Sequence, residues 1–246
     1  VMSITGKPDE DPLRVGFPLA DTIGGLTAAM AVSAALNKRP RGQMIDVSML
    51  DSVLTTMGWV VSNYLIGGVQ PAQHGNENTT SAPSGTFQTA DGLLNIAANE
   101  ERQWQALIRH VGCPHLADDE RFATRDNRKL HRKALSHALD PYLRQKSAAE
   151  WETELTDIGI PAGVVMTVPD ILAHPHIAHR GLLSQFDDVQ AAAGPVSVMR
   201  TGFQSDGQPV SVDMPPPGLG AHNHELLKDL GYDEADIAEL SQEGVI

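Results

Sequence analysis

Apolar residues return at helical spacing over residues 21–38, where Ile23, Leu26, Met30 and Ala34 share one face. The alanines among them, Ala28, Ala29, Ala31 and Ala35, predict a helix that packs closely on a neighbouring layer. Pro40 and Gly42 end it. Residues 43–47 alternate as a short strand does. A second helix is predicted over 48–66, where Leu50, Val53, Leu54, Met57, Val61, Tyr64 and Leu65 form a broad apolar stripe with few charges. That stripe predicts burial between layers or between subunits, and Gly67 and Gly68 close the helix.

Periodicity then lapses. Residues 1–15 read as a loop, and 69–85 are rich in Gly, Pro, Asn, Ser and Thr, as in a linker or a lid. Residues 86–97 predict a β-hairpin turning at Asp91-Gly92. Helices follow over 101–111 and 127–145, the second with Leu135, Ala138, Leu139 and Tyr142 on one face. Ser147 and Glu150 form a capping box that opens a helix through Trp151, Leu155 and Ile158. Residues 162–166 predict a strand, and 168–180 short helices broken at Pro175. Strands at 182–186 and 196–199, an extended arm at 215–220 and helices at 223–230 and 233–242 complete the reading.

A chain of 246 residues can bury a core as one large domain or two modest ones. No run of eighteen apolar residues occurs, so no membrane span is expected, and residues 1–14 do not read as a secretory signal. The single cysteine, Cys113, excludes an internal disulfide and fits a reducing, cytoplasmic setting. Beside Pro114 it reads as structural. A formal charge of −13 argues against a nucleic-acid surface. The basic cluster at 38–41 reads as a solvated turn, so an anionic ligand would find most of its positive contacts elsewhere.

Candidate chemistry is sparse. His174, His176 and His179, with His222 and His224, are closely spaced, but Pro175 interrupts them and no cysteine or carboxylate completes a set, so no metal site is expected. Serine-hydrolase elbows, phosphate loops and dinucleotide fingerprints are missing from the sequence. What stands out is Asp21 where an extended segment turns into a helix, with Gly24 and Gly25 one turn on. Alone, this is an N-cap.

The ordered set of segments resembles the family III CoA-transferases, the group that includes formyl-CoA transferase, carnitine CoA-transferase and 2-methylacyl-CoA racemase. The resembling pieces begin with Leu19-Ala20-Asp21-Thr22-Ile23-Gly24-Gly25 and Ile45-Asp46-Val47-Ser48-Met49-Leu50-Asp51. Ala82-Pro83-Ser84-Gly85-Thr86-Phe87 and Asp119-Glu120-Arg121-Phe122-Ala123-Thr124 with Asn127-Arg128 follow. Gly159-Ile160-Pro161-Ala162-Gly163, His174-Pro175 with Arg180-Gly181, and Pro217-Gly218-Leu219-Gly220 close the series. Each is short, but their order and spacing match over nearly the whole chain.

The resemblance implies an α/β fold: part of a Rossmann-like large domain plus a smaller α+β domain, in an interlocked homodimer. It implies boundaries at 1–81 (large-domain segment), 82–172 (small domain) and 173–246 (return to the large domain). It implies Asp21 as nucleophile, Gly24, Gly25, Asn76, Ser84 and Gly85 as substrate contacts, and no permanently bound cofactor or metal. Coenzyme A thioesters and a small carboxylic acid would be the substrates, with no nucleic-acid or membrane partner. The family is longer at its N-terminus, so the half carrying most CoA contacts is expected as a separate, cleaved or omitted portion, in keeping with the acidic balance here. Asn76-Glu77-Asn78-Thr79-Thr80-Ser81 stands where formyl-CoA transferases carry a run of glycines. The alternatives are a 2-methylacyl-CoA racemase using the same aspartate, or a non-catalytic fragment that needs its N-terminal partner half.

Overall fold

In the computed structural model, which describes residues 1–40, 42–187, 189 and 194–246, the chain divides into two units, Val1–Val165 and Met166–Ile246. The first begins with a 3-10 turn at Met2–Ile4, inside the segment expected to be all loop. Three helices follow: α1 (Leu19–Asn37), α2 (Met49–Thr56) and α3 (Gly58–Gly67).

The helix expected over 48–66 is therefore two. Gly58 adopts a φ of 43°, a left-handed conformation that a continuous helix cannot contain. Ser48 caps α2, its hydroxyl accepting from the Asp51 N–H at 3.2 Å. The expected strand at 43–47 does not form. A strand exists through hydrogen bonds to a neighbour, and no described strand pairs with this segment. Nor is the apolar stripe of α2 and α3 buried within this chain: Leu50, Leu54, Tyr64 and Leu65 are exposed.

The same holds for α1, where only Gly24 is buried, while Leu26 and Met30 stand 67% and 68% exposed. At 19 residues and a mean hydropathy of 1.5, α1 is long and apolar enough, on length and composition, to cross a membrane. Six alanines and two glycines with a carboxylate in the first turn equally suit a helix laid on another protein layer.

The core of the first unit lies further on. Strand β1 (Ser84–Gln88) and β2 (Leu93–Ala97) form the expected hairpin, with Phe87 opposite Leu94, and β3 (Ala162–Val164) pairs with β2 through Ile96 and Ala162. Alternation along β2 turns Leu94 and Ile96 inward. Helices α4 (Glu101–His110), α5 (Arg125–Leu130), α6 (Arg132–Leu143) and α7 (Ala148–Asp157) supply the rest. Trp104, Leu107, Ile108, Leu139, Leu143 and Leu155 are fully buried there. The helix expected over 127–145 is split at His131, which joins α5 to α6. The Ser147–Glu150 capping box is present at the start of α7.

The second unit is thinly packed. Helices α8 (Val168–Ala173) and α9 (Pro175–Arg180) are separated at His174, whose ring Nδ1 accepts the His176 N–H. Strands β4 (Leu183–Phe186) and β5 (Val196–Met199) pair antiparallel, as do the two-residue β6 (Gln204–Ser205) and β7 (Gln208–Pro209), which the pattern did not predict. Helices α10 (Asn223–Asp229) and α11 (Glu234–Gln242) follow, the latter capped by Asp233. Among its described residues only Ser184, Val189 and Ile237 are buried. The architecture is mixed α/β, and all its described sheets are antiparallel.

Candidate functional site

Asp21 is the third residue of α1, and Pro18 holds the cap position. Asp21 is therefore not the N-cap that its neighbourhood suggests. Its side chain is exposed and makes no hydrogen bond or ion pair among the described residues. Beneath it, the Leu19 N–H donates to the Phe17 carbonyl at 2.8 Å and the Thr22 N–H to the Pro18 carbonyl at 3.0 Å. The N–H groups of Ala20 and Asp21 find no main-chain acceptor among the described residues. A carboxylate in the first turn of a 19-residue helix thus sits in the positive end of its dipole, beside two free donors.

The two glycines of the next turn differ. A Cβ on Gly24 would stand 3.1 Å from the Met49 Cγ, so this glycine lets α1 lie against α2. Gly25 has nothing within 4 Å and leaves an open face.

Asn76, Ser84 and Gly85 come together elsewhere. They line one small cavity of about 60 Å³ with Glu77, Arg132 and Ser136. Gly85 has a φ of 151° and its Cα lies so near the 76–77 main chain that a Cβ would be 2.7 Å from the Asn76 carbonyl oxygen. The Asn78 N–H closes the same loop by donating to the Ser84 carbonyl at 3.0 Å. A larger cleft of about 920 Å³ borders it, lined by Trp59, Val60 and Asn63 of α3 and by Glu77, Asn78 and Thr80 of the loop, among others. Asp21, Gly24 and Gly25 line neither cavity.

Three arginines hold this loop, of which the sequence reading quoted only Arg128, within a motif and without a role. Arg125 donates to the Thr80 carbonyl at 3.0 Å, Arg128 to the Ala82 carbonyl at 3.1 Å and Arg132 to the Asn78 carbonyl at 2.7 Å. Arg128 is buried, donates also to the Phe122 carbonyl at 2.9 Å and Glu101 at 2.6 Å, and lies 5.0 Å over the Trp104 ring. Burial pushes the Glu101 carboxyl up, but the Arg128 and Gln105 hydrogen bonds outweigh it and hold it below the ordinary range. Arg125 and Arg128 share a face of α5 at i, i+3, and Arg132 opens α6.

Two further titratable groups have structural explanations. Cys113 is buried, which pushes its thiol up to about 11 and makes it inert at neutral pH. His224 pairs with Glu234 at 2.8 Å. No group of three His, Cys, Asp or Glu among the described residues is arranged to hold a metal ion.

A sequence model of CoA-transferase family III matches residues 1–223. The chain belongs to this family. The fold is shared with a CaiB/BaiF family protein from Brucella suis, whose crystal structure superposes with a TM-score of 0.80 at 33% identity, over 93% of this chain and 60% of that one. Among curated relatives, the succinyl-CoA:glutarate CoA-transferase of Mus musculus is 32% identical over 250 residues, covering 100% of this chain and 57% of its own length. The succinyl-CoA–D-citramalate CoA-transferase of Chloroflexus aurantiacus is 31% identical over 252 residues, covering 100% of this chain and 62% of its own length. The chain thus spans about three fifths of the length of these relatives, and the matched stretch contains both Asp21 and the arginine-held loop.

Proposed function

We propose that this chain is the Asp21-bearing portion of an enzyme that moves CoA from an acyl-CoA donor to a carboxylic acid acceptor. The observation that carries the reading is Asp21 itself: an exposed, unpartnered carboxylate beside free N–H donors at a helix start, within a chain of this family. A carboxylate oxygen of Asp21 attacks the thioester carbonyl, the C–S bond breaks and CoA thiolate leaves, giving a mixed anhydride. The thiolate then attacks the aspartyl carbonyl and releases the donor acid, leaving an aspartyl-CoA thioester. The acceptor carboxylate attacks that thioester, forming a second anhydride and freeing the thiolate. Attack on the acceptor's carbonyl yields the new acyl-CoA and restores Asp21. Each step exchanges one acyl oxygen or sulfur bond for another, so neither metal nor redox partner is required. The Ala20 and Asp21 N–H groups would stabilise an oxyanion at this end of α1.

The names of the relatives favour succinyl-CoA as donor and a short dicarboxylic acid as acceptor. Gly25 leaves room for the thioester, and Asn76, Ser84 and Gly85 belong to a loop that contacts the acid. Residues 82–172 are proposed as the small domain. The exposed apolar faces of α1 and α3 support a second layer laid on them by an N-terminal portion and by a second copy in a homodimer. The compartment proposed is the cytoplasm.

The test is Asp21→Asn in the protein at its full encoded length. The loss of the first-turn charge costs at most about 1 kcal/mol of stability, while an amide cannot form the anhydride. Incubation with succinyl-CoA and trapping with hydroxylamine should label Asp21 in the wild type only. Undiminished CoA transfer by Asp21→Asn would remove this residue from the mechanism.

A further inference from the structure

The loop at 76–85 has neither helix nor strand before Ser84, yet it is tied from one side by three side chains. Arg125, Arg128 and Arg132 each donate to a carbonyl of an alternate residue, Thr80, Ala82 and Asn78 respectively. Arg132 also stands 3.7 Å from Glu77. The loop's own hydrogen bonds tighten it from within: the Asn78 side-chain oxygen accepts from the Thr80 N–H at 2.9 Å and from its hydroxyl at 2.8 Å.

Burial separates the three arginines. Arg128 is buried and ties core elements together, so it serves the fold. Arg125 and Arg132 contact carbonyls at the surface or half-buried, where water can replace a lost donor at little cost to folding. Their effect falls on the loop, which carries Glu77, Asn78 and Thr80 along the 920 Å³ cleft and shares Arg132 with the cavity of Asn76, Ser84 and Gly85.

The geometry points to Arg125 and Arg132 as positioning residues that, with Arg128, hold residues 76–82 as a fixed wall rather than a lid, and so set the selection of the acceptor acid. This rests on the reading that the loop contacts that acid. The guanidinium groups touch no reacting atom. They act through the main chain, orienting its polar groups before the acid arrives and thereby sparing the ordering cost of binding.

The experiment compares the wild type with Arg125→Met/Arg132→Met and with Arg132→Lys, each at full encoded length and each checked for an unchanged circular dichroism spectrum. Amide hydrogen exchange reads the clasp directly. Each lost hydrogen bond should speed exchange at 76–82 about tenfold, so the double variant should be about a hundredfold faster there and unchanged in β2 and α4. With succinyl-CoA and glutarate as probes, the KM for glutarate should rise about tenfold in the double variant with kcat nearly constant. Arg132→Lys should recover most of both losses, because an ammonium still donates to the Asn78 carbonyl. Unchanged exchange at 76–82 overturns the clasp. Faster exchange with an unchanged KM for glutarate, or equal losses in kcat for every acid tried, overturns the positioning role. A wild type that transfers no CoA counts against the proposed function instead, and exchange then still decides whether the clasp exists.

Discussion

Replacing Arg128 by methionine tests the energetics of the small core most sharply. The methionine keeps an unbranched side chain in the core but removes the guanidinium, with its place over the Trp104 ring and its three hydrogen bonds, to the Ala82 and Phe122 carbonyls and to Glu101. Glu101 is more than half exposed and rehydrates, so its loss costs little. The two carbonyls belong to residues 3% and 0% exposed and are left without a donor. Each buried unsatisfied acceptor costs about 1–3 kcal/mol, which places the total near ~4 kcal/mol. With a urea slope of about 2 kcal/mol per molar, the unfolding midpoint should fall by about 2 M. Arg128→Lys should recover only part, since an ammonium on a shorter reach cannot serve three diverging acceptors. A midpoint shift under about 0.5 M, or roughly 1 kcal/mol, would show that water reaches both carbonyls and would refute the assignment of Arg128 as the tie between loop and core.

Three further outcomes are expected. Gly85→Ala should lower the melting temperature and loosen 76–78 in hydrogen exchange, by about 1–3 kcal/mol of strain, because its Cβ would meet the Asn76 carbonyl oxygen at 2.7 Å; an unchanged melt would contradict the close approach. The Glu154 carboxyl is held below its ordinary value by hydrogen bonds from Lys146 and then His110. Its folded value is depressed, so its stabilisation is full above about 4.5 and is lost as the pH falls through the depressed value. Glu154→Gln should therefore flatten the stability–pH curve in that acid range, and parallel curves for both proteins would count against the pairing. Cys113, buried with its thiol pushed up to about 11, should resist a disulfide reagent at pH 8 until denaturant is added; fast native labelling would show the pocket around it to be open.

Features decided within a few residues were legible in the sequence. The hairpin at Asp91-Gly92 follows from period-two alternation around a turn-forming pair, and the start of α7 from the Ser147–Glu150 capping box. The helical run that became α1 showed its carboxylate and glycines plainly. Whether Asp21 capped that helix was not legible, because one turn more or less at Leu19 changes its role from cap to first-turn residue. Longer-range relations needed the tertiary structure. Residues 43–47 alternate like a strand, but only a partner's hydrogen bonds make one, and none is described here. The same apolar stripe over 48–66 suits one helix or two, and the left-handed φ of Gly58 decides. Gly24 reads as space for a ligand until Met49 is found filling it. Arg125, Arg128 and Arg132 carry no such signal, since local spacing says nothing of the carbonyls 45 or more residues away that receive their hydrogen bonds. Periodicity encodes which side of an element is apolar or charged; what that side meets is fixed only when distant parts of the chain pack together.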